Sequence, residues 1–204
     1  GAVDDERVGR PLDREPAEFP AYGMPPPDPE ILPEFRPSAA DEASVRGLLE
    51  KGDYDTCLRA CAIAIERGQP SPEWPVMRLA ALSELGRDDE ALAAAEVARA
   101  TRGESLRVDV ARHRLARSLG RKDLADQTLR TVNELARKLP AKDRTGADQI
   151  ALGQAALAAG ADAKKVMTQF FEPAKKKPEA AADAALALGE LAIEKGDFAR
   201  AATE

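Results

Sequence analysis

The sequence predicts an all-helical fold built from stacked antiparallel helix pairs, and three observations carry this prediction. Gly52, Gly86 and Gly120 are spaced 34 residues apart, so one structural unit repeats along the chain. Only 4% of the residues are aromatic, whereas strands of sandwiches and barrels need aromatic and β-branched side chains. Glycine and proline breaks leave segments of about 12–18 residues, an ordinary helix length, and no segment alternates with period two.

The chain divides near residue 38 into an N-terminal arm, residues 1–37, and a repeat domain, residues 38–204. Nine of the 15 prolines lie in the arm, and proline fixes φ and removes a hydrogen-bond donor, so we expect an extended arm. Nine acidic residues against four arginines give the arm a net charge of −5, out of −6 for the whole chain. The arm also carries apolar side chains that a plain spacer does not need: Phe19, Tyr22, Met24, Ile31, Leu32 and Phe35.

The repeat domain is predicted to contain about five helical hairpins, in each of which a glycine ends the first helix. These glycines are Gly52, Gly86, Gly120, Gly160 and Gly196. Small residues that let the second helix approach its partner follow five positions later, at Cys57, Ala91, Ala125 and Ala201. The fourth unit follows a six-residue insertion; Thr145 with Asp148 is predicted to cap its first helix, and Val166 and Phe170 to turn inward on its second. The fifth unit stops midway through its second helix, so we expect an unfinished stack with apolar residues of that unit exposed at its end.

In its repeat motifs the chain resembles the tetratricopeptide repeat family over about residues 38–204. Gly-Asp-Tyr-Asp-Thr-Cys at 52–57 and Gly-Asp-Phe-Ala-Arg-Ala at 196–201 match the family's turn and second helix, and Leu-Gly-Glu-Leu-Ala at 188–192 matches its first helix. The resemblance implies an all-α, right-handed α-solenoid of stacked antiparallel helix pairs, with a concave groove that binds other proteins. The third unit departs from the family's pattern at Arg112 and His113, where a leucine and a small residue are usual.

The residues that could carry chemistry are few. Cys57, Cys61 and His113 are the only soft metal ligands in the chain, fewer than the four of a structural zinc site. Both cysteines occupy packing positions of the repeat, where a free cysteine acts as a small hydrophobe. No phosphate-binding loop and no His-Glu-x-x-His motif occurs. We therefore predict no catalytic residue, no metal, no cofactor and no enzyme activity within these residues.

The basic residues are concentrated in the third unit. Residues 99–122 hold eight Lys and Arg against two acidic residues, a local net charge of +6. Arg107, Arg114 and Arg117 are spaced seven and three apart on one predicted helix, which places them on one stripe. The family resemblance turns this stripe toward the groove, with Arg46 at the equivalent place in the first unit. Arginine suits bidentate capture of carboxylates, so these four residues predict an acidic protein or peptide partner; the alternative is a solvated face.

Two functions of different classes remain open. One is a non-catalytic scaffold or adaptor that binds a partner segment in its groove; the other is the docking region of a longer, exported enzyme or envelope protein whose catalytic domain follows residue 204. A net charge of −6 disfavours nucleic acid, and no apolar run is long enough to span a membrane. Self-docking or dimerisation through the arm or the open C-terminal end is a further hypothesis. Localisation stays open, with the start without methionine slightly favouring export over the cytoplasm.

Overall fold

The computed structural model describes residues 39–197 and Thr203, and every regular element within these residues is helical. The all-helical prediction is confirmed for this part of the chain, and Gly52, Gly86, Gly120 and Gly160 each lie between two helices. The predicted arm, residues 1–37, lies outside the described residues. The helices are α1 (Ala39–Glu50), α2 (Tyr54–Glu66), α3 (Glu73–Glu84), α4 (Asp88–Arg102), α5 (Leu106–Ser118), α6 (Lys122–Lys138), α7 (Gly146–Ala158), α8 (Ala163–Val166), α9 (Glu172–Lys175) and α10 (Ala181–Glu194).

A glycine in the left-handed region follows the first helix of every unit. At Gly86 φ is +70°, and the next amide, Arg87 N–H, donates to the Leu82 carbonyl at 2.9 Å. This six-to-one hydrogen bond satisfies a carbonyl that the end of a helix leaves free, and it requires a positive φ that glycine adopts without a steric penalty. The same bond and a positive φ recur at Gly52, Gly120, Gly160 and Gly196.

The first helices of successive units lie side by side. α1 contacts α3, α3 contacts α5, α5 contacts α7, and α7 contacts α10. Each of the helices α2, α4 and α6 packs against the two first helices that flank it in the chain. Cys57, Ala91 and Ala125 are fully buried in these contacts, while Ala201 lies outside the described residues. All three are small side chains, which suits close packing between helices.

The fourth unit begins with the predicted cap. The Thr145 hydroxyl accepts the Asp148 N–H at 3.1 Å, and the Asp148 carboxylate accepts the Thr145 N–H at 2.9 Å. This reciprocal pair satisfies two free donors at the start of α7. The predicted cap is therefore confirmed.

The second helix of the fourth unit is interrupted by a π-helical segment, Met167–Phe171, between α8 and α9. Val166 is buried as predicted, but the aromatic residue that is fully buried is Phe171, whereas Phe170 is half-buried. Phe170 nevertheless packs against the core, as predicted, and the wider π turn adds a residue that brings Phe171 into the core as well, which regular helical periodicity does not encode. Pro173 lies two residues after this segment. Because proline has no N–H to donate to the Gln169 carbonyl, a local departure from α geometry is tolerated there.

The last described helix, α10, shows both buried and exposed apolar residues. Leu188, Leu191 and Ala192 are buried, whereas Ile193 is 57% exposed; Phe198 lies outside the described residues. Among residues 39–197, no helix has the length and hydropathy needed to cross a membrane.

Candidate functional site

A groove runs along the first helices of the five units. One part of it is a cavity of about 360 Å³ to which α1, α3, α5, α7 and α10 all contribute. Within the last four of these helices, the lining residues stand thirteen, ten, nine and six positions before their unit's glycine. They are Glu73, Val76, Met77 and Ala80; Arg107, Val110, Ala111 and Arg114; Ala147, Ile150, Ala151 and Gln154; and Asp183, Leu186, Ala187 and Glu190. The spacing that repeats along the sequence thus also determines which residues line the groove. The same spacing continues through the first helices of the fourth and fifth units. We call this part, in which aliphatic side chains predominate, the apolar section.

A second cavity, of about 640 Å³, adjoins the apolar section and shares four of its residues, Val110, Arg114, Gln154 and Glu190. Its further polar lining comes from α5 and from the end of α10, and we call it the polar section. These added polar residues are His113, Arg117, Glu194 and Lys195.

Four charged side chains form a chain of ion pairs across the apolar section. Arg46 donates to Glu73 Oε2 from NH2 at 2.7 Å and lies 3.4 Å from Asp183 Oδ2 through NH1. Arg107 donates to the same glutamate, with NH2 2.9 Å from Oε2 and NH1 hydrogen-bonded to Oε1. Burial alone raises the pKa of Glu73, but the hydrogen bonds and charges of Arg107 and Arg46 outweigh it and hold that pKa below its usual range. Two arginines and two carboxylates leave this chain formally neutral.

The predicted arginine stripe therefore divides into two parts. Arg46 and Arg107 are engaged by carboxylates of the protein itself. Arg114 and Arg117 are exposed, line the polar section, and make no ion pair with any other residue in the described part of the chain. Among the described residues that line the two sections, this second pair alone has guanidinium groups without an ion pair.

Most of the remaining positive charge in residues 99–122 is also neutralised internally. Arg99 lies 2.8 Å from the buried carboxylate of Asp109, Arg112 lies 2.6 Å from Glu96, and Arg121 lies 2.6 Å from Asp89. Two of these three carboxylates, those of Glu96 and Asp89, belong to the preceding helix α4 and lie outside residues 99–122. The local charge of +6 consequently does not act as one basic surface.

A buried polar cluster lies between α5 and α6, and its member His113 also lines the polar section. Arg112 donates to the Thr128 hydroxyl at 2.7 Å, and Thr128 donates in turn to the Leu124 carbonyl at 2.7 Å. His113 Nδ1 lies 2.9 Å from the Ala125 carbonyl, and its Nε2 is buried without a hydrogen-bond partner. Asp109 is fully buried, and burial raises its pKa despite the opposing charges of Arg99 and Arg112. The departure of Arg112 and His113 from the repeat pattern was the only sequence signal for this cluster.

The two cysteines form a separate buried pair. Cys57 and Cys61 are both fully buried and carry free thiols. The hydrogen bond between them and their burial raise the pKa of the Cys61 thiol far above its usual range, so it is held in the unreactive protonated form. Within the described residues, no three His, Cys, Asp or Glu side chains are grouped so that they could hold a metal ion.

Comparison with protein-family models, with curated proteins and with solved structures finds no match for this chain. The class that the described residues define is accordingly a structural one. It is an all-helical repeat whose first helices line a groove with one apolar and one polar section.

Proposed function

We propose that this chain is a non-catalytic interaction module, a scaffold or adaptor that holds a peptide segment of a partner protein in its groove. The proposal includes a right-handed α-solenoid with tetratricopeptide-like stacking. The observation that carries it is the shared register: each of the last four units places side chains at the same four positions before its glycine, so that one residue per unit contributes to each row of the groove. A surface built in this way suits an extended ligand that passes one unit after another.

The composition of the groove supports a peptide as the ligand. The apolar section supplies Val76, Val110 and Ile150, and Leu186 is 63% exposed at its edge. An exposed leucine beside unpaired polar groups is the combination that peptide grooves use, with apolar anchors for affinity and polar groups for orientation. We expect Leu186 to contact an apolar side chain of the partner.

The charged groups of the groove support binding over catalysis. A general base works best when its pKa lies near the working pH, which for a carboxylate means raising it. The pKa of Glu73 is instead lowered, because Arg107 and Arg46 stabilise its ionised form more than burial disfavours it. The four-membered chain of ion pairs thus supports a structural role for these residues.

A peptide selection against the full chain tests the proposal. Peptides chosen from a random displayed library are measured by fluorescence anisotropy with the wild type, with Leu186→Glu and with Val97→Glu. Val97 is a matched control, because it is 59% exposed on α4 and lines neither section of the groove. The proposal predicts that Leu186→Glu weakens binding at least about tenfold, or 1.4 kcal/mol, while Val97→Glu leaves it unchanged. Equal effects of the two variants, or no selected peptide, would contradict it.

A further inference from the structure

We infer that the polar section is a subsite for an acidic peptide segment, in which His113 accepts a hydrogen bond from the ligand while Arg114 and Arg117 bind its carboxylates. The inference rests on the proposed function and deepens it, because it names the chemistry of the partner and the residues that recognise it. Three observations support it: the unpartnered ring nitrogen of His113, the two exposed arginines, and the charged residues that face them.

The hydrogen bond of His113 fixes which of its ring nitrogens can serve a ligand. A carbonyl oxygen only accepts, so Nδ1, at 2.9 Å from the Ala125 carbonyl, carries the ring proton. In the neutral ring Nε2 then carries a lone pair and acts as an acceptor. His113 is 4% exposed and lines the polar section, yet Nε2 has no donor in the described residues. Nε2 has almost no accessible surface, so a ligand donor reaches it only if neighbouring side chains move; a ligand that brings an N–H or O–H to it is favoured, because leaving a buried acceptor without a partner is unfavourable.

Arg114 and Arg117 stand three positions apart on α5, so their side chains leave the same face of the helix. Both are exposed and lack an ion pair among the described residues. Their planar guanidinium groups can each grip a carboxylate through two parallel N–H donors. They are therefore free, adjacent and suited to an acidic side chain or a chain terminus.

The opposing charges limit how acidic the ligand can be. Glu190 and Glu194 of α10 line the same section, and Lys195 pairs with Glu194 at 2.8 Å. Three basic residues against two acidic ones leave a formal charge of +1, which suits one or two carboxylates better than a polyanion such as nucleic acid.

A peptide backbone matches the remaining polar groups. Gln154 offers both donors and an acceptor, and Glu190 and His113 offer acceptors. Backbone N–H and C=O groups can satisfy all three, whereas an unprotonated inorganic anion such as sulfate has no donor for Nε2. The apolar section adjoins the site directly, so an acidic residue and an apolar residue of one segment can be held together. The occupant that we propose is an acidic segment of a partner protein.

The inference can be tested on the single histidine of the full chain. With histidine labelled by nitrogen-15, a nuclear magnetic resonance spectrum reports the two ring nitrogens without assignment ambiguity. The probe is a capped decapeptide with two glutamates and two leucines among alanines and serines, and its control carries glutamines in place of the glutamates. We expect the Nε2 resonance to move as it accepts a hydrogen bond, Nδ1 to keep its proton, and the glutamine peptide to bind at least about tenfold more weakly.

Variants of the full chain complete the test. Arg114→Gln and Arg117→Gln should each weaken binding of the glutamate peptide by about tenfold. Neither variant should change the affinity for the glutamine peptide. Lys122→Gln, which removes an exposed charge outside both sections, should change neither affinity. Circular dichroism of each variant verifies that its helix content is that of the wild type.

The outcomes separate this inference from the proposed function. If the glutamate peptide binds while the Nε2 resonance stays in place, the subsite is wrong and the groove proposal stands. If neither decapeptide binds but library peptides still depend on Leu186, the acidic specificity is likewise overturned. If Nε2 is already hydrogen-bonded in the ligand-free chain, and neutralising the carboxylates of residues 1–37 releases it, then the chain's own acidic arm is the occupant and the proposal of a partner segment fails.

Discussion

Arg46 and Asp183 are 137 positions apart in the chain, yet NH1 of the arginine lies 3.4 Å from Oδ2 of the aspartate. The pair joins α1 to α10, the first helices of the first and fifth units, across the apolar section. The same guanidinium reaches Glu73 of the second unit, so that one side chain links three units. The Arg46 and Asp183 side chains are 38% and 49% exposed, so their pair adds only about 0–1 kcal/mol to stability. Both residues line the apolar section, so the pair spans the groove between the first and the fifth unit.

Glu73→Gln is expected to destabilise the protein by about 1–3 kcal/mol, because it leaves Arg46 and Arg107 without the carboxylate that both engage. Urea unfolding followed by circular dichroism measures the change. Glu90→Gln is the control, since Glu90 pairs with Arg87 on the exposed surface and should cost at most about 1 kcal/mol. Equal losses in the two variants would show that the shared carboxylate has no special role.

The same glutamate predicts a pH dependence of stability. Because the folded-state pKa of Glu73 is lowered, its stabilising contribution is complete above the ordinary glutamate pKa of about 4.3 and is lost as the pH falls through the lower folded value. The wild type should therefore lose more stability on acidification than Glu73→Gln, and the two should converge at low pH. Urea midpoints measured from pH 7 to pH 3 test this, and a constant difference over that range would refute it.

Gly153→Ala is expected to destabilise the fourth unit by about 1–3 kcal/mol, although alanine is the better helix former. A Cβ at this position would lie 2.3 Å from Cε1 of Phe171, a ring that is fully buried and cannot yield. Gly47→Ala in α1 meets no atom within 4 Å and should instead stabilise by about 0.5–1 kcal/mol. Thermal and urea unfolding of the two variants should change in opposite directions.

A double variant provides a further check on this contact. Phe171→Leu removes the ring that a new Cβ would strike, so Gly153→Ala should cost less in that background than in the wild type. Additive costs would mean that the glycine is needed for a reason other than Phe171.

Cys57 and Cys61 are expected to resist thiol reagents in the native protein. Both are fully buried, so a reagent reaches them only when the chain opens. The raised pKa of the Cys61 thiol adds to its protection, whereas the hydrogen bond with Cys61 lowers the pKa of Cys57, whose protection therefore rests on burial. Labelling followed at pH 8 should proceed at the rate of unfolding or local opening and accelerate with added urea, and the denatured chain should release two thiols. Rapid stoichiometric labelling in native buffer would contradict this arrangement.

The sequence predicted the features that repeat. A helix end needs a glycine, and a close helix contact needs a small residue five positions later. Both requirements are local, so Gly86 with Ala91 and Gly120 with Ala125 can be recognised from the sequence alone. The cap formed by Thr145 and Asp148 is local as well.

The pairing of charges was not predictable in the same way. Glu73 receives Arg46 and Arg107 from neighbouring units, and Asp183 comes from far along the chain, so counting charges in one segment overstated the free positive charge. The unpartnered Nε2 of His113 depends equally on three-dimensional contacts, because Ala125 of α6 takes the other nitrogen. Spacing along one helix shows which side chains share a face, but not which of them already have partners.

The shared register of the groove has a consequence for how such a chain could change partners. Of the residues that shape the hairpins, the positive-φ glycines and the buried small residues, only Gly160 also lines the groove within the described part of the chain. If the groove binds a peptide as proposed, substitutions six positions before a glycine can change its preference one unit at a time, whereas Val110 and Ile150, ten positions before their glycines, are buried and also belong to the core. Under the proposed function, Ala80, Arg114, Gln154 and Glu190, one residue from each of four units, are the positions at which the partner preference would be changed.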